Sequence, residues 1–129
     1  MKITQFTDYS LRLLLLLVQS GGKVVTVREV AEHYSLSSEH LKKIVRRLVD
    51  LGHIRTVRGK HGGIVLARTP GEINIGQLFR DEENLALLPC HDCNDSCPVD
   101  VCRLRTAVDE AMGAFLAVLD SRTLADLVW

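Results

Sequence analysis

Residues 26–66 contain the pattern that most constrains the fold of this chain. Thr26 is followed three residues later by Glu29, the capping-box pairing that starts a helix. The serines of "SLSS" at residues 35–38 then predict a tight turn into a second helix, which runs to about Leu51. Its apolar face, at helical spacing, consists of Leu41, Ile44, Val45, Leu48 and Leu51. Its opposite face is basic and consists of Lys42, Lys43, Arg46 and Arg47.

A glycine-rich hairpin follows the second helix. Two strand-like runs, "HIRTV" and "IVLAR", flank the segment "RGKHGG". Its glycines supply the backbone freedom that a hairpin turn needs, and its tip carries Arg58, Lys60 and His61. Two short helices followed by a basic hairpin predict a mainly α fold, a winged helix-turn-helix with a two-stranded wing.

The charge distribution divides the chain into a basic and an acidic part. Residues 1–80 contain 13 Lys and Arg against 6 Asp and Glu, a balance of +7, and residues 81–129 contain 3 against 10, a balance of −7. Only the first part is therefore expected to meet a polyanion. An isolated basic run is more often a solvated surface, but here it coincides with a helix-turn-helix and a basic wing. The combination predicts binding to double-stranded operator DNA.

The predicted DNA contacts fall into three groups. The start of the second helix is expected to meet base edges, its basic face the phosphates, and the wing tip an adjacent minor groove. The residues are Ser38, Glu39, His40, Lys42, Lys43, Arg46, Arg58, Lys60 and His61.

The segment after residue 100 repeats apolar residues at spacings of 3, 4, 3, 4 and 3. They are Val101, Leu104, Val108, Ala111, Phe115 and Val118. The same pattern fits a helix packed inside one chain, but little of a chain of this length remains to cover it. We therefore expect a long dimerisation helix and a homodimer, the arrangement that helix-turn-helix proteins use on paired half-sites.

The predicted organisation has three parts. Residues 1–80 form the DNA-binding domain, 81–102 a loop with all the cysteines, and 103–129 the dimerisation helix and a C-terminal helix. The apolar run after Arg12 is six residues long, too short for a signal-peptide core or a membrane span. A cytoplasmic protein with no membrane partner is expected.

The four cysteines lie in "CHDCNDSCPVDVC", residues 90–102, at spacings C-x2-C-x3-C-x4-C. Thiols stay reduced in the cytosol, which argues against a disulfide framework. No arrangement of a thiol with an oriented base is apparent, so we expect no enzyme. Four thiolates suit zinc, and closely spaced thiolates on a loop also suit an iron–sulfur cluster. The spacing leaves both metals open.

Several stretches spread along the chain match one known family. They are "QFTDYSLRLLL", "SLSSEHLKKIVRRL", "VRGKHGGIVLAR", "INIGQLFR", "CRLRTAV" and "TLADL". In this order they resemble the iron–sulfur winged-helix repressor family of the IscR and NsrR type. The similarity is greatest to its nitric-oxide-sensing members, chiefly through "TDY", "CRL" and "TLADL". The resemblance implies a dimeric repressor that holds an iron–sulfur cluster, 4Fe-4S rather than 2Fe-2S, and releases DNA when nitric oxide nitrosylates the cluster.

The resemblance also implies a ligand set of three cysteines and one residue from elsewhere. Cys90 and Cys102 match the outer ligands, and Cys97 lies nearest to the middle position. The fourth ligand would be the partner subunit's Asp8, although from the residues alone Asp8 is simply a charge favoured at a helix N-terminus. Cys93 exceeds the family pattern and is an alternative ligand. An iron–sulfur-status or redox-responsive regulator of the same fold, or a zinc-stabilised DNA-binding protein, is the alternative function.

Overall fold

The structure is a computed structural model that describes residues 1–92 and 101–128. Its helices and strands, in chain order, are α1 Gln5–Gln19, α2 Val27–Tyr34, α3 Ser38–Asp50, β1 Ile54–Val57, β2 Gly63–Leu66, α4 Ile75–Glu82, α5 Pro89–Asp92 and α6 Arg103–Asp120. Short 3₁₀ helices occupy Pro70–Glu72 and Leu124–Leu127.

Helix α1 forms the centre of the core. Thr4 caps its start by accepting a hydrogen bond from the backbone N–H of Thr7 at 3.3 Å. Leu13, Leu14 and Leu17 are fully or almost fully buried. The helix ends before Gly21 and Gly22, which both have positive φ.

The helix-turn-helix forms through the predicted local caps. The Glu29 N–H donates to Thr26 Oγ1 at 3.1 Å, and the Thr26 N–H donates to Glu29 Oε2 at 2.7 Å, which completes the capping box of α2. Ser35, with φ 53°, ends α2, and Ser37 caps α3. Four of the five residues predicted for the apolar face of α3 are buried, at Leu41, Ile44, Val45 and Leu48, while Leu51 is the C-cap and is half-buried.

The wing is a two-stranded antiparallel sheet with the register Ile54↔Leu66 to Val57↔Gly63. Its turn depends on two glycines. Gly59 has φ 109°, and a side chain at Gly62 would overlap the carbonyl oxygen of Val57. The predicted winged helix-turn-helix is therefore confirmed.

The C-terminal end of α6 is fixed to α4. The side-chain amide of Asn74, the N-cap of α4, donates to the carbonyl oxygen of Asp120 at 2.8 Å. The Leu124 N–H donates to the Ile73 carbonyl oxygen at 2.8 Å, and Leu124 is fully buried. Because this pairing holds Thr123 extended, the predicted C-terminal helix is reduced to the 3₁₀ helix Leu124–Leu127.

Some of the apolar residues predicted to line α6 contact the core of their own chain, and others face solvent. Phe115 packs against Phe79 of its own chain, with ring centroids 6.0 Å apart. Val101, Leu104 and Val118 remain 77%, 64% and 62% exposed. In one chain α6 has no buried residue. Among the described helices, none is long and apolar enough to cross a membrane.

A candidate DNA-binding surface and a candidate metal site

The basic face of α3 is exposed along its length. Ser38 and Glu39 open the helix at the surface, and Lys42, Lys43 and Arg46 follow, all exposed. Lys42 is ion-paired with Glu39 at 3.2 Å. Among the described residues, neither Lys43 nor Arg46 has an ion-pair partner. Their charges are available for phosphate groups.

His40 differs from the other predicted contacts because its ring is half-buried against α1. The ring lies 5.4 Å from that of Tyr9 in an edge-on arrangement and 6.5 Å from that of Phe6. The imidazole therefore holds the start of α3 against the start of α1. The sequence shows the two aromatic residues of "FTDY", Phe6 and Tyr9. The helical spacing of the apolar residues does not indicate that His40 packs against them.

The tip of the wing presents three predicted contacts to solvent. Arg58, Lys60 and His61 are all exposed. In the part of the chain that the structure describes, none of them makes an ion pair. The tip is therefore a cationic projection suited to a groove lined by phosphates.

Arg47, on the predicted basic face of α3, has an internal role instead. Its guanidinium donates to the carbonyl oxygen of Asp81 in α4 at 2.9 Å. The neighbouring Glu82 accepts a hydrogen bond from the Ser10 hydroxyl at 3.2 Å, while its other carboxylate oxygen is buried without a described partner. Burial raises the pKa of Glu82 to about 7, and the Ser10 hydrogen bond and the Arg47 charge oppose this shift. A titratable group thus lies where α1, α3 and α4 meet.

A second buried titratable group lies close to the end of α3. His53 is 4% exposed, and neither ring nitrogen has a hydrogen-bond partner among the described residues. Burial lowers its pKa, and the nearby Arg68 charge lowers it further. The ring is therefore a neutral core side chain. Sequence reasoning identified neither His53 nor Glu82.

Two of the four cysteines belong to the described structure. Cys90 lies in α5, Cys102 is the N-cap of α6, and both are free, half-buried thiols. The Cys102 sulfur accepts a hydrogen bond from the Arg105 N–H at 3.4 Å. Cysteine binds zinc and iron–sulfur clusters through its sulfur. These two thiols therefore fit a thiolate-bound metal group.

Among the described residues, no further predicted ligand joins these two thiols in a metal-binding group. Cys93 and Cys97 lie outside the described residues. Within residues 1–92 and 101–128, no three His, Cys, Asp or Glu side chains form a group that could hold a metal ion.

Asp8 lies at the surface in the first turn of α1. Its carboxylate pairs with the Arg12 guanidinium at 3.0 Å, and its side chain is 44% exposed. The same guanidinium lies over the Tyr34 ring, 5.9 Å from its centroid. The Asp8 carboxylate is therefore within reach of a second molecule, but its bond to Arg12 competes with any other ligand.

Comparison with known proteins identifies the family. Residues 3–129 match the model of the Rrf2 family, described as an iron-dependent transcriptional regulator. The chain is 44% identical over 132 residues to the HTH-type transcriptional regulator NsrR of Bacillus subtilis. This match covers 99% of this chain and 90% of that protein. Its identity to NsrR of Geobacillus kaustophilus is 47%, with the same coverage.

Solved structures agree with this assignment. IscR of T. potens superposes with a TM-score of 0.79 at 27% identity, covering 98% of this chain and 85% of that chain. The global cysteine regulator CymR of B. subtilis gives a TM-score of 0.79 at 28% identity, covering 98% and 95%. These relatives are transcriptional regulators, as expected for a chain that is not an enzyme. The resemblance found in the sequence is thereby confirmed, and the chain belongs to the Rrf2 family of DNA-binding transcriptional regulators.

Proposed function

We propose that this protein is a cytoplasmic, homodimeric transcriptional repressor that senses nitric oxide through a 4Fe-4S cluster and releases its operator when nitric oxide reacts with that cluster. The observation that carries the proposal is the 44–47% identity, over 99% of the chain, to regulators named NsrR. The two described thiols, which suit an iron–sulfur cluster, support it.

The proposed ligands are Cys90, Cys97, Cys102 and the partner subunit's Asp8, with Cys93 as the alternative fourth ligand. Cys90 lies in α5 and Cys102 caps the start of α6. Binding of both thiolates to one cluster would therefore fix α5 relative to α6. When bound, the cluster supplies iron atoms that react with nitric oxide. Zinc held by the same thiolates is the alternative.

Asp8 provides a path from the ligand set to the DNA-binding surface. Its neighbours in α1, Phe6 and Tyr9, hold the His40 ring at the start of α3. A movement of this turn of α1 would therefore change the position of the residues that face base edges. Ligation can control DNA binding only if it favours one of two such positions, and an Asp8 engaged by the partner's cluster meets that requirement.

Helix α6 supports the homodimer. Leu104 and Val118 remain exposed in one chain, and a second copy would cover them. A dimer would present two α3 helices to paired half-sites at a fixed separation, so any change in subunit geometry would reduce operator affinity.

The test is an anaerobic purification followed by iron, sulfide and zinc analysis, visible spectra and operator binding with and without nitric oxide. We expect four iron and four sulfide per chain, and a fall in operator affinity on exposure to nitric oxide. A colourless protein with one zinc per chain, whose DNA binding ignores nitric oxide, would contradict the proposal. Spectra of a 2Fe-2S cluster would instead support the iron–sulfur-status regulator.

Single substitutions assign the ligands. We expect Cys90→Ala, Cys97→Ala and Cys102→Ala to lose the cluster, and Asp8→Asn to bind it less stably. Cys93→Ala is the matched control and should keep it. Loss of iron in Cys93→Ala but not in Asp8→Asn would assign the fourth position to Cys93.

A further inference from the structure

We propose that a cleft at the base of the wing binds a small organic anion, a phosphate or carboxylate attached to an apolar body. The cleft has a volume of about 550 Å³ and lies between the C-terminal end of α1, residues 20–23, and residues 65–70. We call it the basal cleft. Its volume is within the range of about 300–1,000 Å³ that is usual for ligand pockets.

The charged residues that line the basal cleft are all positive. Lys23, Arg55 and Arg68 line it, and no acidic residue does. In the described structure none of these three cations is ion-paired, whereas Arg12, Arg28 and Lys42 elsewhere in the domain are. The carboxylate of Glu72 senses the Arg68 charge, but its pKa is lowered mainly by hydrogen bonds from Thr69, which engage it as a cap. The cleft therefore has unused positive charge.

The walls of the basal cleft are apolar. Leu17, Val18, Val65 and Pro70 contribute to them. An anion with an aliphatic or aromatic body would place that body against these side chains. The two guanidinium groups would bind its phosphate or carboxylate, because their paired donors match the geometry of those groups.

Lys23, Arg55 and Arg68 are exposed, and local contacts fix the turn that carries Lys23 and the position of the Arg68 guanidinium. The Ser20 hydroxyl lies within hydrogen-bond distance of the carbonyl oxygens of Leu17, at 2.7 Å, and Lys23, at 3.1 Å, which fixes the turn that carries Lys23. The Arg68 guanidinium lies against Gly52, the residue after the C-cap of α3. A ligand that engages Arg68 would therefore act on the segment that ends the DNA-binding helix, and anion binding is expected to alter operator affinity.

The position of the basal cleft favours a free anion over operator phosphates. Strand β2 begins at Gly63, beside the wing tip, and runs away from the tip to Leu66, where the cleft lies. The start of α3 and the tip at residues 58–61 carry the predicted DNA contacts. A duplex that touches both has no need to reach the opposite end of the sheet.

The experiment is a calorimetric and NMR titration of the full-length protein, with and without its metal group, using AMP, octanoate and inorganic phosphate as probes. We expect AMP or octanoate to saturate one site per chain, more tightly than phosphate alone. The double variant Lys23→Gln/Arg55→Gln should weaken this binding at least tenfold. The control is Arg28→Gln, which removes a positive charge from α2, outside the cleft. It should leave the affinity for the anion unchanged.

Three results would overturn the proposal. The first is the absence of saturable binding by AMP and octanoate. The second is a loss of anion affinity in Arg28→Gln equal to that in the double variant. The third is a double variant that loses operator affinity although no small anion binds the wild type. The last result would assign the cations to the DNA backbone. Because the titration does not require a cluster, its outcome is independent of the nitric-oxide proposal.

Discussion

Arg80 of α4 and Asp120, the last residue of α6, form a bidentate ion pair in which Arg80 Nη1 donates to Asp120 Oδ1 and Nη2 donates to Oδ2. The Arg80 hydrogen bonds lower the pKa of Asp120. Because both side chains are partly exposed, the pair contributes mainly to geometry. It fixes the direction in which α6 leaves the DNA-binding domain.

Gly76 makes this contact possible, and its replacement is the first prediction. A Cβ at Gly76 would overlap the Asp120 carboxylate and backbone. Although alanine is the better helix former, we expect Gly76→Ala to destabilise the protein by about 2–3 kcal/mol, because α6 must move away from α4. Chemical denaturation measures the change.

Gly71→Ala is the control for this effect. A Cβ there meets nothing within 4 Å, and the residue does not have positive φ. Its stability should stay within about 0.5 kcal/mol of the wild type. Equal effects of the two substitutions would show that the close approach of α4 and α6 is unimportant.

The second prediction concerns pH and Glu82. Its pKa is raised from 4.5 to about 7 in the folded protein, so the native state binds this proton more tightly than the unfolded chain does. The resulting stabilisation is complete below pH 4.5 and is lost as pH rises through 7. The groups that face the carboxyl are Ser10 of α1, Arg47 of α3, and Asp81 and Glu83 of α4.

Glu82→Gln isolates this term because glutamine cannot titrate. Between pH 5 and pH 8 the wild type should lose about 1–2 kcal/mol more stability than Glu82→Gln, a figure reduced for partial solvent screening. Parallel curves of unfolding free energy against pH would show that Glu82 keeps an ordinary pKa.

The third prediction separates the two possible roles of His40. If its ring mainly positions α3 against Phe6 and Tyr9, then His40→Phe should keep operator affinity within about threefold, whereas His40→Ala should lose about tenfold. Fluorescence anisotropy on specific and nonspecific duplexes measures both. A loss of specific binding alone in His40→Phe would mean that the imidazole contacts a base.

The fourth prediction concerns the wing. Each of Arg58→Gln and Lys60→Gln should reduce the slope of log affinity against log salt by about 1, if each cation neutralises one phosphate. Arg122→Gln, beyond α6 in the acidic part of the chain, should leave the slope unchanged. An unchanged slope in both wing variants would place the tip away from DNA.

The fifth prediction uses the two roles of Cys102. As the N-cap of α6 its sulfur accepts the Arg105 N–H, and serine can replace it in this role. We expect Cys102→Ser to keep the first turn of α6 and Cys102→Ala to destabilise it by about 1 kcal/mol, while both lose iron. Hydrogen exchange of the Arg105 amide and iron analysis report the two roles separately. Retention of iron by Cys102→Ala, which offers no donor atom, would exclude Cys102 as a ligand.

The sequence by itself determined the helix-turn-helix, the wing and the basic, exposed face of α3. Caps such as Thr26 with Glu29, the apolar stripe of α3 and the glycines of the wing act through hydrogen bonds and sterics between residues close in the chain. Local rules therefore predicted the winged helix-turn-helix, and its resemblance to a family predicted the regulator.

Only the tertiary structure decided which long-range contacts these elements make. It directed Phe115 to its own core, Arg47 to Asp81, and His40 to α1. It also buried Glu82 against Ser10, 72 residues away in the chain. A repeating pattern shows which side of a helix is apolar or charged but does not identify its neighbour. The neighbour depends on how whole helices pack together, because one packing arrangement must both bury the apolar surface and pair the buried polar groups.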